Sequence, residues 1–260
     1  MKNSFVNFNN RSKIISMIAV KTIKDTIISM KKSIKQGCEG FCLTTESLIK
    51  EERTKENFLK LYKTAKGLPI YATCYQMNNI SNPPETDEEL IETLKIYAKN
   101  GAKLIDVPQD FYDMQPDQVS WDENAIEKQK SLIKEFKDMG VEVIMSCHIF
   151  HFTPKNEILK IASSQVERGA DIVKIVAYAD NEVELDEMYE TLLELKKQIK
   201  IPVLFLLNGN MGKKFRSVCT ILGNQPFMLC LENSLNPSPQ PSIQGAINIL
   251  KNAKIYDKEL

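Results

Sequence analysis

Eight short apolar segments alternate with amphipathic stretches along the whole 260-residue chain. The apolar segments are KIISMIAV (13–20), EGFCLTT (39–45), PIYATCYQ (69–76), KLIDVPQ (103–109), VEVIMSCH (141–148), DIVKIVAYA (171–179), PVLFLLNG (202–209) and PFMLCLEN (226–233). Each is rich in β-branched or aromatic residues and is bounded by Gly, Pro or polar residues, which reads as a strand. Between them, TIKDTIISMKKSIKQG sets Ile23, Ile27, Met30 and Ile34 on one helical face and stops at Gly37. TDEELIETLKIYAKNGA opens with Thr86 and Glu89 at capping-box spacing. The phrases NGAKLIDV and RGADIVKI, near copies, join a helix end to a strand start. Eight such units in one chain predict a (β/α)8 TIM barrel occupying residues 1–260 as a single domain. An open doubly wound sheet fits less well, because SMIAVKT stands where a G-x-G-x-x-G turn would follow the first strand.

Charge narrows the function. Lys+Arg and Asp+Glu number 34 each, and phosphate binding needs a clustered cationic excess, so nucleic acid is not the expected partner. No basic apolar face, no apolar run of signal-peptide length at the start and none of membrane-spanning length later point to a membrane. The expectation is a cytoplasmic protein. Its six cysteines form no C-x-x-C pair and lie mostly inside apolar runs, so they read as buried reduced thiols.

In such a barrel, chemistry gathers at the C-terminal ends of the strands. Lys174, flanked by two apolar residues on each side in DIVKIVAYA, stands out. Burial favours the neutral amine, a nucleophile suited to forming an imine with a ketone or aldehyde. A lysine paired with a carboxylate is the other reading of the same pattern. His148 ends the preceding strand, where an imidazole could move protons beside an iminium. His151, three residues on, reads as loop packing.

Around this pair the sequence resembles the type I 3-dehydroquinate dehydratases. Ser146, His148, Phe150, Thr153 and Pro154 match that family's S-x-H-x-F-x-x-T-P; Gly169, Ala170, Asp171, Val173, Lys174 and Ile175 match G-A-D-x-V-K-I; Met211 and Gly212 match a later Met-Gly pair. The resemblance implies a homodimeric barrel that removes water from a cyclic β-hydroxyketone without metal or organic cofactor. Lys174 would form the imine and His148 would shuttle the proton. Elsewhere the pattern departs. Cys42 and Thr44 stand where the family has E-x-R, Tyr75 where it has an arginine, and Pro108 where it has the glutamate that orients the histidine. Val218 and Cys219 replace the Ser-Arg that clamps the substrate carboxylate, and NPSPQ keeps Gln240 of the last loop. Thr44, Glu46, Tyr75, Arg216 and Gln240 are therefore the expected substrate-binding residues. Arg216 is the candidate stand-in for the lost clamp, and its plainer reading is an exposed first turn of a helix. Asp106 is expected, ahead of Glu46, to orient His148. So neutral a lining suits a small carbonyl substrate of lower charge. An aldolase or isomerase using the same imine, or a ligand-binding barrel without turnover, are the competing readings.

Overall fold

In a computed structural model, which describes residues 4–7, 11–76, 84–223, 225–232 and 238–253, the alternation becomes eight strands and eight helices. They run β1 (Lys13–Ile18), α1 (Ile23–Gln36), β2 (Gly40–Thr44), α2 (Lys55–Thr64), β3 (Ile70–Thr73), α3 (Asp87–Lys99), β4 (Leu104–Pro108) and α4 (Glu123–Asp138). The second half continues with β5 (Glu142–His148), α5 (Lys155–Glu167), β6 (Ile172–Tyr178), α6 (Glu182–Gln198), β7 (Val203–Asn208), α7 (Gly212–Leu222), β8 (Phe227–Cys230) and α8 (Ile243–Asn252). All pairings are parallel, in the order β7-β6-β5-β4-β3-β2-β1-β8. This is the (β/α)8 barrel. At the β7–β8 junction a side chain bridges the strands: Gln225 Nε2 donates to the Phe205 carbonyl at 2.7 Å.

Helix ends follow the local chemistry of the sequence. Thr86 and Glu89 complete both halves of the capping box of α3, and Gly37 ends α1 at φ 94°, a left-handed value that only glycine adopts without strain. Thr22, Thr54, Asp122, Asn181 and Ser242 cap the N-termini of α1, α2, α4, α6 and α8 through their side chains.

The period-2 alternation of each strand sends one set of residues into the barrel and the other against the helices. At the strand starts the interior is closed by Phe5. Fully buried, it meets Tyr71 and Phe227 edge-on with ring centroids 6.2 and 5.4 Å apart. Glu142, the first residue of β5, holds this segment by accepting from the Phe5 amide at 2.6 Å.

Between the barrel and helices α4 and α5 lies a buried polar layer. Arg168 donates to the carbonyls of Gln109 (3.3 Å) and Ser120 (2.6 Å) and to Gln129 Oε1 (2.5 Å). Gln165 accepts from the Lys174 amide at 3.0 Å and donates to the Lys174 carbonyl at 3.2 Å, gripping that residue's backbone from outside the barrel. All six cysteines are buried and none is in a disulfide. Among the described residues, no helix is long and apolar enough to cross a membrane.

Candidate active site

Register places the two residues singled out in the sequence. Ser146 of β5 lies opposite Lys174 of β6, and His148 lies opposite Val176, one layer nearer the mouth. Ser146 and His148 share the inward face, because they are two residues apart.

Lys174 is 4 % exposed and fully engaged. Its Nζ lies 2.6 Å from the Tyr75 hydroxyl, 3.1 Å from that of Tyr71 and 3.1 Å from Asp106 Oδ2. Three acceptors match the three donors that an ammonium carries. The carboxylate-paired reading of this lysine is thus the one the structure displays, in place of an amine surrounded by apolar groups alone. Asp106, completely buried on β4, in turn accepts from Tyr71, from Tyr75 and, at 2.5 Å, from Ser146 Oγ. A buried carboxylate is tolerable when its oxygens are saturated in this way. Burial foremost, and then the Asp106 charge, raise both tyrosines well above the usual phenol range, so each keeps its proton and serves as a donor to Asp106.

His148 sits above this cluster, half-buried. Its ring and that of Tyr75 pack in a T-shaped arrangement, 5.2 Å between centroids at an interplanar angle of 78°. Tyr75 therefore touches both Lys174 and His148. Burial, and then the positive charges of Lys174 and Arg216, hold the imidazole well below its usual pKa. Its Nδ1 lies 2.5 Å from Gln118 Oε1. The expected orienting role of Asp106 is corrected here: its oxygens are taken up by Lys174, Ser146 and the two phenols, and the loop residue Gln118 reaches the histidine instead.

The other expected residues divide. Tyr75 lies at the centre of the cluster. Thr44 Oγ1 donates to the Ile18 carbonyl at 2.8 Å, and buried Glu46 accepts from Thr73 Oγ1 at 3.0 Å, so both brace the top of β2. Arg216 is buried rather than forming an exposed helical turn, because its guanidinium seals the end of β7. Nε donates to the Leu207 carbonyl at 2.8 Å and a terminal nitrogen to Asn208 Oδ1 at 3.0 Å. Burial brings its pKa down to about 10. Gln240 lies beside Met17 and accepts from Ser238 Oγ. Val218 and Cys219 both belong to α7, and Cys219 is buried. Asn233, at the expected end of the eighth strand, lies outside the described residues. The Met211–Gly212 pair is set by the turn before it. Gly209 has φ 80°, and a Cβ there would come 2.4 Å from the Ala179 carbonyl oxygen. Tyr71 and Gln118 were not anticipated, the first because it lies below the mouth and the second because its loop carries no periodic pattern.

Comparison with known proteins points one way. Residues 14–257 match the family described as Type I 3-dehydroquinase. A 3-dehydroquinate dehydratase of Geobacillus sp. (strain WCH70) is 27% identical over 192 residues, covering 73% of this chain and 69% of that protein. Among solved structures, the type I 3-dehydroquinate dehydratase of Clostridium difficile, determined with covalently modified comenic acid, superimposes with a TM-score of 0.81 at 20% identity, covering 95% of this chain and 94% of that one. The 3-dehydroquinate dehydratase of Geobacillus kaustophilus gives 0.80 at 14% identity, covering 95% and 93%. At these identities the superpositions speak for the fold alone, and the match along 14–257 speaks for the family. The chain belongs to the type I 3-dehydroquinase family, a family of carbon–oxygen lyases.

Proposed function

We propose that the chain is a Schiff-base lyase that removes water from a β-hydroxyketone, with Lys174 as the nucleophile and His148 as the proton carrier. The observation that carries this reading is the stacking of Lys174 under His148 inside one barrel, with Tyr75 in contact with both. Lys174 passes one proton to Asp106 and adds to the ketone carbon as the neutral amine; the carbonyl oxygen leaves as water, taking up that proton, and an iminium remains. His148 takes the proton from the α-carbon, and the electron pair moves into the iminium to give an enamine. The enamine then expels the β-hydroxyl, which receives a proton from the imidazolium and departs as water. Hydrolysis of the conjugated iminium returns Lys174. General acid–base help of this kind is worth about 10²–10⁴ in rate.

Charge indicates the substrate class. The two cations coupled to His148 are already engaged, Lys174 with Asp106 and Arg216 with β7. A bidentate arginine clamp is the strongest available recognition of a carboxylate, and this site favours a cyclic hydroxyketone carrying hydroxyl or amide groups in its place. Buried reduced cysteines fit a reducing compartment, hence a cytoplasmic enzyme; the family resemblance suggests a homodimer.

Borohydride reduction tests the reading. Incubation with 3-dehydroquinate, or with an uncharged cyclic β-hydroxyketone, should leave the reduced adduct on the peptide containing Lys174, more abundantly with the uncharged compound. Failure of every carbonyl probe to label Lys174 would end the Schiff-base assignment.

A further inference from the structure

The loop between β4 and α4 supplies a residue that lies outside the family motifs quoted above. We propose that Gln118 positions His148, accepting the Nδ1 proton through its amide oxygen and leaving Nε2 as the ring's one basic nitrogen. The proposal rests on His148 being the proton carrier. It replaces the carboxylate expected behind that histidine with a neutral amide.

The geometry is built for the task. Gln118 is 6 % exposed, and its side-chain oxygen lies 2.5 Å from His148 Nδ1. Its backbone has φ 52°, a left-handed conformation that costs a non-glycine residue about 1 kcal/mol or more and persists only when neighbours enforce it. Here they do. The Gln118 amide donates to the Gln115 carbonyl at 3.0 Å, and the Gln115 amide donates to Asp110 Oδ2 at 3.3 Å. Ser120 Oγ donates to Asp113 Oδ2 at 2.6 Å, while the Ser120 carbonyl accepts from Arg168 at 2.6 Å. The loop is stapled on both sides of Gln118, so the amide is aimed before any substrate arrives.

The charges around the ring make the amide consequential. Lys174 from β6 and Arg216 from α7 both oppose a positive imidazole, and Tyr75 meets the ring only in a T-shaped contact. The nearest candidate carboxylates are turned away: Asp106 faces Lys174 and the phenols, and Asp117 faces His151 at 3.5 Å. An amide oxygen fixes the tautomer as a carboxylate would, but adds no charge to stabilise the imidazolium. The ring rests as a neutral base. Once it has taken the α-proton it is a stronger acid than a carboxylate-backed histidine, which favours handing that proton to the departing hydroxyl.

The chain has only two histidines, which makes the test direct. In a His151→Asn background with ¹⁵N-labelled histidine, the nitrogen NMR spectrum reads His148 alone and needs no substrate. The parent should show the Nδ1–H tautomer at pH 7 and remain neutral to a pH well below the usual imidazole range. Gln118→Glu should keep that tautomer and raise the titration midpoint by about one pH unit or more. Gln118→Met, which keeps the length and removes the amide, should lose the Nδ1–H signature while circular dichroism shows the barrel intact. An Nε2–H tautomer in the parent, or a titration unmoved by Gln118→Glu, overturns the proposal. Because this readout involves no carbonyl compound, it stands or falls separately from the trapping of Lys174.

Discussion

Two cations lie buried on either side of the same strands, and they are held by opposite means. Arg168, outside the barrel wall, is surrounded by carbonyl and amide oxygens. Its planar, multiply donating fork suits fixed neutral acceptors, and they bind the β4–α4 loop to the start of β6. Lys174, inside the wall, meets a carboxylate and two phenols, groups that can exchange protons with it. Burial alone does not make a charged residue chemical. What distinguishes the two is whether the partners can give and take a proton.

The largest effect that would test this contrast is at the inner cation. Lys174→Met should abolish borohydride trapping and lower turnover by about 10⁴-fold or more, because no other residue supplies the covalent sink. Arg168→Met should behave the other way. It strands the Gln129 side chain and the carbonyls of Gln109 and Ser120, and urea denaturation should show a loss of about 3–4 kcal/mol, with trapping at Lys174 retained. If Arg168→Met eliminated trapping in the folded protein, the division between a structural and a chemical cation would fail.

A smaller effect of opposite sign is expected beside the same loop. Burial raises the Asp110 carboxyl to about 6. In the unfolded chain this group releases its proton near pH 3.9, so between these values the native state binds more protons and stability falls as pH rises. Asn cannot ionise. Asp110→Asn should therefore raise stability at pH 8 by about 1–2 kcal/mol, with the gain disappearing as pH drops below 4. Smallest of all should be His151→Ala. His151 is exposed beside Asp117, and its removal should change turnover less than about twofold, as expected of a surface pair.

The fold was largely legible because alternation is a property of the whole chain, and eight repetitions leave few topologies. Strand ends were less so. The third strand was expected to run to Gln76 but ends at Thr73, since β4 pairs with it only at Tyr71 and Ala72. Tyr75 nevertheless continues the inward face beyond the hydrogen-bonded ladder. Lys174, His148 and Tyr75 could be read because each lies on a strand or at its end, where periodicity states which way a side chain points. Asp106 was identified with the wrong partner. Both possible partners lie on its inward face, and only the height of each layer decides between them. Gln118 could not be read: a left-handed residue in an irregular loop owes its aim to Asp110, Asp113 and Arg168, none of which announces that connection in sequence. Gln129 and Gln165 are fully buried, and a glutamine carries no mark of burial in sequence.

Phe5 gives the barrel a further property. With that ring wedged between Tyr71 and Phe227, and Tyr71 donating to Asp106 and lying 3.1 Å from the Lys174 amine, the Tyr71 phenol joins the plug at the strand starts to the floor of the candidate site. A change in the packing of Phe5 would therefore reach Lys174 before it reached His148, one layer higher.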